Sequence, residues 1–202
     1  MCGRFEFKAT PEDLEKIFKE CKKKLQFNSD SKATPKEEIF IPRDSIFTIF
    51  HADGEYKLSL TRWGIQFTPR TPLLFNMQIE RIQERPFWKK LFTKYKCLVP
   101  MTAFYKLFKD RKKKIRQKIF FPDSELIFVP AIYKVEPDKI YSTLVTTPPN
   151  IQMKYLHKRM PVVLNFEEGI EYLHNDYESN LKLCDPYRNE LKLETEIARG
   201  FG

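Results

Sequence analysis

Cys2 is the residue whose chemistry the rest of the chain would have to position. Removal of the initiator methionine before so small a residue leaves an α-amine and a thiol on neighbouring carbons. Such an amine titrates near pH ~8 and such a thiol near ~8.5, so each supplies a usable fraction of its nucleophilic form at neutral pH. The amine can condense with an aldehyde, and the thiol of the same residue can then attack the imine, closing a five-membered thiazolidine without a second encounter. The same terminus could serve as an amidase nucleophile, or the cysteine could have no chemical role. His157 is the second candidate. It stands in His157-Lys158-Arg159-Met160-Pro161, where a short helix is predicted to hand over to a strand, a position where functional groups often gather. The third is the run from Lys109 to Lys118, seven cations in ten residues, which reads either as a solvated hairpin tip or as an element that tracks phosphates.

Composition narrows the setting. A chain of 202 residues fits one ordinary domain, so a single domain over residues 2 to 202 is expected. The balance of 36 Lys+Arg against 27 Asp+Glu gives a net charge of +9, which favours a polyanionic partner without naming it. Cys2, Cys21, Cys97 and Cys184 lack CxxC spacing, and His51, His157 and His174 are equally dispersed, so neither a disulfide framework nor a zinc site is suggested. No apolar run approaches the ~20 residues of a membrane span, and the start lacks the basic-then-apolar pattern of a secretory signal. A cytoplasmic protein with free thiols and no membrane partner is expected, nucleoid-associated if the source is bacterial.

The elements that must carry these residues are mostly strands. Arg4 to Phe7 reads as a short alternating strand, and Thr10-Pro11-Glu12-Asp13 caps a helix with Leu14, Ile17, Phe18 and Cys21 on its apolar face, fading into Lys22-Lys23-Lys24. A turn follows at Ala33-Thr34-Pro35. Glu38 to Ile41 and Ser45 to Phe50 are rich in β-formers, with a hairpin turn at His51 to Gly54 returning through Tyr56 to Leu60. Thr61 to Ile65 closes that strand with Trp63, a residue that could be core or a stacking platform, its type favouring the core. Pro86 to Phe92 reads as a helix, Tyr95 to Pro100 as a strand ending at proline, and Ala103 to Phe108 as another strand. Core strands are predicted at Ile127 to Tyr133, Tyr141 to Thr147 and Val162 to Leu164, a short helix at Ile151 to Leu156 and a helix at Glu167 to Leu173. Leu191 to Gly202 shows no strong period.

Met1-Cys2-Gly3-Arg4-Phe5, Arg62-Trp63-Gly64-Ile65, Phe75-Asn76 with Glu80, Lys96 to Pro100, Phe104-Tyr105 and His157-x-Arg159-Met160-Pro161 are each a weak signal. In this order, from residue 2 to about residue 165, they resemble the SRAP family, the SOS-response-associated peptidase-like proteins. The resemblance implies an α+β fold with a β-rich, barrel-like mixed core flanked by helices. It also implies shielding of abasic sites in single-stranded DNA as part of the DNA damage response, through a thiazolidine between the N-terminal cysteine and the ring-opened sugar. The family carries an older label as an autoproteolytic cysteine peptidase. Matched by motif, Cys2 resembles the crosslinking residue, and Arg4 and Arg159 resemble phosphate-binding arginines. Asn76 would hold the abasic sugar, Trp63 would lie against DNA, and Thr146 and His157 would line the pocket, the histidine moving protons. No cofactor is implied, and a monomer is expected.

Two positions depart from the family pattern. Where the family usually has a glutamate after Phe-Tyr, this chain has Lys106, and where it tends to have a DNA-contacting arginine two residues after the asparagine, this chain has Gln78. A lysine cannot replace a carboxylate in proton transfer without a changed mechanism. The sequence therefore leaves open a crosslinking protein, a single-stranded DNA-binding module with impaired chemistry, a Cys2-dependent peptidase, and a lyase in which Lys106 itself forms the imine.

Overall fold

The computed structural model describes residues 3–28, 38–110, 113–122 and 124–197. Its elements run β1 (Phe5–Glu6), α1 (Pro11–Glu20), β2 (Leu25–Phe27), β3 (Ile39–Phe40), β4 (Ser45–Ala52), β5 (Glu55–Trp63), β6 (Asn76–Gln78), α2 (Ile79–Glu84) and α3 (Pro86–Lys94). They continue with β7 (Lys96–Met101), β8 (Ala103–Asp110), β9 (Lys113–Phe120), β10 (Ile127–Glu136), β11 (Lys139–Thr147), a 3₁₀ turn at Met153–Tyr155, β12 (Met160–Pro161), α4 (Phe166–His174), α5 (Tyr177–Leu183) and β13 (Lys192–Ile197). The fold is α+β, as the sequence suggests.

A closed ring forms within the larger sheet. Strands β11, β10, β7, β4 and β5 pair antiparallel in that order, and β5 returns to β11 through a parallel pairing of Arg62 with Tyr141 and Trp63 with Ser142. This is the barrel. Both faces of its inner strands are covered, so burial runs nearly continuously and takes in Ile46, Ile49, Leu58, Leu98, Val99, Val129, Ile132 and Leu144. The parallel seam also carries a buried hydroxyl chain, Thr48 Oγ1 to Thr61 Oγ1 at 2.7 Å and on to Ser142 Oγ at 2.7 Å. These groups satisfy one another where water cannot reach. The hairpin from β4 to β5 turns on Asp53 and Gly54, both at positive φ (55° and 77°), the two-residue turn whose twist matches the strands it joins.

A second sheet has the order β13-β9-β8-β1-β3. Its first strand is only two residues long but looks both ways. Phe5 stacks on Phe40 at 5.2 Å and meets Trp63 edge-on at 5.1 Å, tying this sheet to the barrel. Glu6, on the opposite face, is 3% exposed. Its carboxylate accepts from Tyr105 Oη at 2.6 Å and Thr102 Oγ1 at 3.2 Å and pairs with Lys118 Nζ at 2.9 Å. Burial pulls its pKa up, yet the bonds from Tyr105 and Lys118 and the charges of Lys118 and Lys8 outweigh that and leave it below the usual carboxylate value.

The helix at residue 11 begins as expected, with Thr10 and Asp13 closing a reciprocal capping box. Two expectations change. Strand β7 runs one residue past Pro100 to Met101, where the proline pairs with Phe128 of β10. The basic run does straddle a hairpin, as expected: Lys109–Asp110 and Lys113 to Lys118 are paired strand residues of β8 and β9, and Arg111 and Lys112 lie outside the described residues. The tail after Leu191 forms β13, antiparallel to β9, with Glu194 opposite Lys118 and Glu196 opposite Arg116. Lys192 to Thr195 are all exposed, so no apolar alternation marks the strand, and Glu194 facing Lys118 supplies cross-strand complementarity in its place. The turn expected at Ala33-Thr34-Pro35 lies outside the described residues.

Candidate functional site

Asn76, Thr146 and Arg159 come together because β6 and β12 flank the end of β11. Asn76, Met77 and Gln78 pair in parallel with Leu144, Val145 and Thr146, while Pro161 and Met160 pair with Thr146 and Thr147 from the other side. Chain continuity then sets Glu80, in the first turn of α2, opposite Arg159. One arm of the Arg159 guanidinium, Nη1, donates to Glu80 Oε1 at 2.6 Å, and the other, Nη2, donates to the Thr146 carbonyl at 2.5 Å. Thr146 Oγ1 donates to the Met77 carbonyl at 3.1 Å, which fixes the strand pair beneath the arginine. Burial would raise the Glu80 pKa, but the hydrogen bond and charge of Arg159, with help from its own backbone N–H, hold it below the ordinary value. Glu80 belongs to the quoted motif, but the sequence assigns it no partner; only the fold does.

His157 is oriented by the same residue. The Arg159 backbone N–H donates to His157 Nδ1 at 3.0 Å, which makes Nδ1 an acceptor and leaves the proton of the neutral ring on Nε2. The Arg159 carbonyl oxygen, also 3.0 Å from Nδ1, is the acceptor available when the ring gains a second proton. Burial lowers the His157 pKa, the backbone bond to Arg159 opposes this, and the charges of Lys106 and Arg159 lower it further. The net direction is down, so the ring is neutral at pH 7 and able to accept a proton. Lys106, half-buried on β8 beside Gln117 in register, is therefore an electrostatic neighbour of His157 although 51 positions separate them in sequence (157 − 106).

Arg4 has a different setting. It precedes β1, with Tyr105 N–H bonded to its carbonyl at 2.9 Å. Burial lowers its pKa, as does the nearby charge of Arg116, against the favourable influence of Tyr105 and Asp44. Arg116 lies 5.0 Å above the Tyr105 ring. The charge of Arg116 thus reaches Arg4 from the Tyr105 face of β8, across the strand from Lys106, and an anion near both would relieve the repulsion. Arg116 sits in the basic run, but which of its seven cations would face the site is set by strand alternation, not by composition.

Other expected residues fall elsewhere. Trp63 is 0% exposed, packed against Phe5 and Phe75, and its Nε1 donates to the Phe75 carbonyl at 2.8 Å. It presents no face on which a base could stack, so the DNA-contacting role implied by the resemblance is corrected to a core role. Lys118 is engaged with buried Glu6, which takes one of the seven cations of the basic run away from a phosphate track. Arg159 is engaged with Glu80 and Thr146, and its side chain is 13% exposed. Asn76 is buried and Gln78 half-buried at the strand end. Cys2 lies outside the described residues, but Gly3, to which it is bonded, lies against Phe75, the residue before Asn76.

Residues 1–197 match the family model described as SOS response associated peptidase (SRAP). The chain belongs to the SRAP family. It is 29% identical over 198 residues to the abasic site processing protein YoqW of Bacillus subtilis, covering 92% of this chain and 83% of that protein. It is 29% identical over 202 residues to an abasic site processing protein of Saccharomyces cerevisiae, covering 85% of this chain and 54% of the yeast protein. A crystal structure of a protein from Bacteroides thetaiotaomicron superposes with a TM-score of 0.77 at 19% identity, over 98% of this chain and 92% of that one, which shows the shared fold. No helix among the described residues is long and apolar enough to cross a membrane.

Proposed function

We propose that this SRAP protein binds single-stranded DNA, recognises an abasic site and joins it covalently through Cys2. What supports the reading is that Gly3 lies against Phe75, the residue before buried Asn76, that Thr146 Oγ1 bonds to Met77 on the same strand pair, and that His157, kept neutral by burial, is bonded to the backbone of Arg159, which also grips Thr146. The abasic-site processing names of the relatives support the substrate class.

In this reading the phosphates beside the lesion bind between Arg4 and Arg116, and Asn76 holds the sugar. The ring-opened sugar presents C1′ as an aldehyde. The Cys2 amine adds to it, giving a carbinolamine that loses water to an imine. The Cys2 thiolate then forms a carbon–sulfur bond to the imine carbon, and the nitrogen takes up a proton. His157 is the group suited to shuttle protons, both in opening the sugar and in the loss of water. Burial, with a smaller contribution from the Lys106 charge, keeps that histidine unprotonated; Lys106 also discourages protonation of a nearby amine, which favours nucleophilicity, but it supplies no carboxylate to donate and recover protons. A slow crosslink is the expected result. Gln78 contributes hydrogen bonds, not charge.

Intact mass spectrometry before and after incubation with a single-stranded oligonucleotide bearing one abasic site tests this directly. The expected result is loss of Met1 and a heat-stable adduct that peptide mapping assigns to Cys2 and that Cys2→Ala abolishes. After borohydride trapping, an adduct on Lys106 would favour the lyase, and no adduct with retained binding would leave a DNA-binding module.

A further inference from the structure

The burial of Trp63 leaves the candidate site without the aromatic surface that single-strand binding ordinarily uses. Another surface of that kind stands two residues before His157. Ile151 and Tyr155 are 82% and 86% exposed, the two most exposed large hydrophobic side chains among the described residues. Lys154 N–H bonds to the Asn150 carbonyl at 2.9 Å and His157 N–H to the Met153 carbonyl at 2.8 Å, so the segment turns helically and positions 151 and 155 share one face.

The segment is clamped from beneath. Met153 is buried, Asn150 Nδ2 donates to the Tyr187 carbonyl at 3.0 Å, and Gln152 makes two bonds to the Leu191 backbone, at 2.9 and 3.2 Å. An apolar pair held outward on so well anchored a turn is pre-organised for a flat apolar ligand, because little freedom remains to be lost on binding. Its charge points the same way: from Asn150 to Arg159 the sequence has Lys154, Lys158 and Arg159 and no acid, and both lysines are exposed.

We propose that Ile151 and Tyr155 form a stacking platform for a base of the single strand next to the abasic nucleotide, with Lys154 and Lys158 on the flanking phosphates. Bases beside a lesion lack one stacking neighbour, and an aromatic ring replaces it without regard to sequence. This inference rests on the function proposed above.

The test uses the full chain and single-stranded oligonucleotides carrying one abasic site, with 2-aminopurine placed on its 5′ or its 3′ side. Binding is expected to quench the fluorophore on one side only. Tyr155→Ala should remove the quench and weaken binding roughly 5- to 150-fold at unchanged salt slope, and Tyr155→Trp should restore both. Lys154→Ala and Lys158→Ala should instead each reduce the log–log salt slope by about 0.7. Since Tyr155 is almost wholly exposed, its replacement should leave the thermal melt unchanged. Tyr155→Ala binding within twofold of wild type, with the quench intact, would overturn the platform while leaving the proposed function standing. Loss of a concentration-dependent self-association in Tyr155→Ala, with DNA affinity unchanged, would assign the face to a second copy of the chain and also overturn it. A wild type that neither binds nor crosslinks the oligonucleotide would sink both readings together.

Discussion

Glu80→Gln should make the protein less stable and a better DNA binder at once. Glu80 holds one arm of Arg159 at 2.6 Å, with the arginine side chain 13% exposed and the glutamate 40%. Exposed ion pairs contribute ~0–1 kcal/mol, whereas removing one partner of a fully buried pair costs ~3–5 kcal/mol. A pair with one buried and one partly solvated member falls between, at about 2 kcal/mol. For a chain of this length that corresponds to roughly 4–8 °C in Tm. Gln keeps the shape and can still accept from Arg159, so the loss measures charge, not packing. The same change removes an anion from the site and weakens its hold on the guanidinium arm, which a phosphate can then win more easily. One additional phosphate contact should steepen the log–log salt slope for single-stranded DNA by about 0.7, with affinity at moderate salt rising a few-fold. Thermal melts and fluorescence anisotropy titrations from low to moderate salt read the two effects separately. If Tm falls and the salt slope also becomes shallower, Arg159 needs Glu80 to engage phosphate and the competition inferred from the geometry is wrong. An unchanged Tm would mean that the pair contributes nothing.

Three further outcomes follow from the same structure. The rate of crosslinking should rise with pH through the titration of His157, whose midpoint lies below its ordinary value of 6.5; Lys106→Glu removes one cause of that depression, so it should move this limb to higher pH and accelerate the reaction, while His157→Ala should slow it by ~10²–10⁴. A Lys106→Glu profile superimposable on wild type would show that the lysine does not act on His157. Glu6→Gln should cost about 3 kcal/mol at neutral pH, because Glu6 is buried among Tyr105, Thr102 and Lys118. Since its pKa is depressed in the fold, its contribution is complete above the unfolded value of 4.5 and is lost as pH falls through the lower folded value; urea midpoints of wild type and variant should converge at low pH, and parallel curves would contradict the assignment. Gly64→Ala should destabilise by about 2 kcal/mol, because residue 64 sits at φ +114° and a Cβ there would come within 2.8 Å of Leu73; an unchanged denaturation midpoint would refute it.

What could be read from the chain depended on whether a residue's partner was local. The Thr10 cap, the proline starts of two helices and the hairpin at Asp53-Gly54 are encoded within four residues of one another, and all are found where the sequence puts them. The barrel strands were legible as apolar runs, but the closure of β5 onto β11 was not, since it joins positions about 80 residues apart. Long-range electrostatics were least accessible. Nothing near Arg159 in sequence says that Glu80 will occupy its fork, and nothing near Glu6 says that Tyr105 and Lys118 will surround it. Alternation does offer one signal in retrospect: Phe5-Glu6-Phe7 places a carboxylate between two buried aromatics, a position that an exposed glutamate would rarely take. Trp63 shows the opposite hazard, because residue type favoured the core while the motif implied DNA, and burial decides for the core.

The placement of β1 bears on what happens after a crosslink forms. A strand attached at Cys2 would pull along the chain into Phe5 and Glu6, and these two residues form an inner strand, paired to the edge strand β3 on one side and to β8 on the other. Tension on the DNA would therefore be borne by backbone bonds to both neighbours, by the Phe5 packing against Phe40 and Trp63, and by the Glu6 ion cluster. The protein would behave as an anchored plug: a polymerase or helicase meeting such an adduct would have to pull an inner strand out from between β3 and β8 before the attachment could yield.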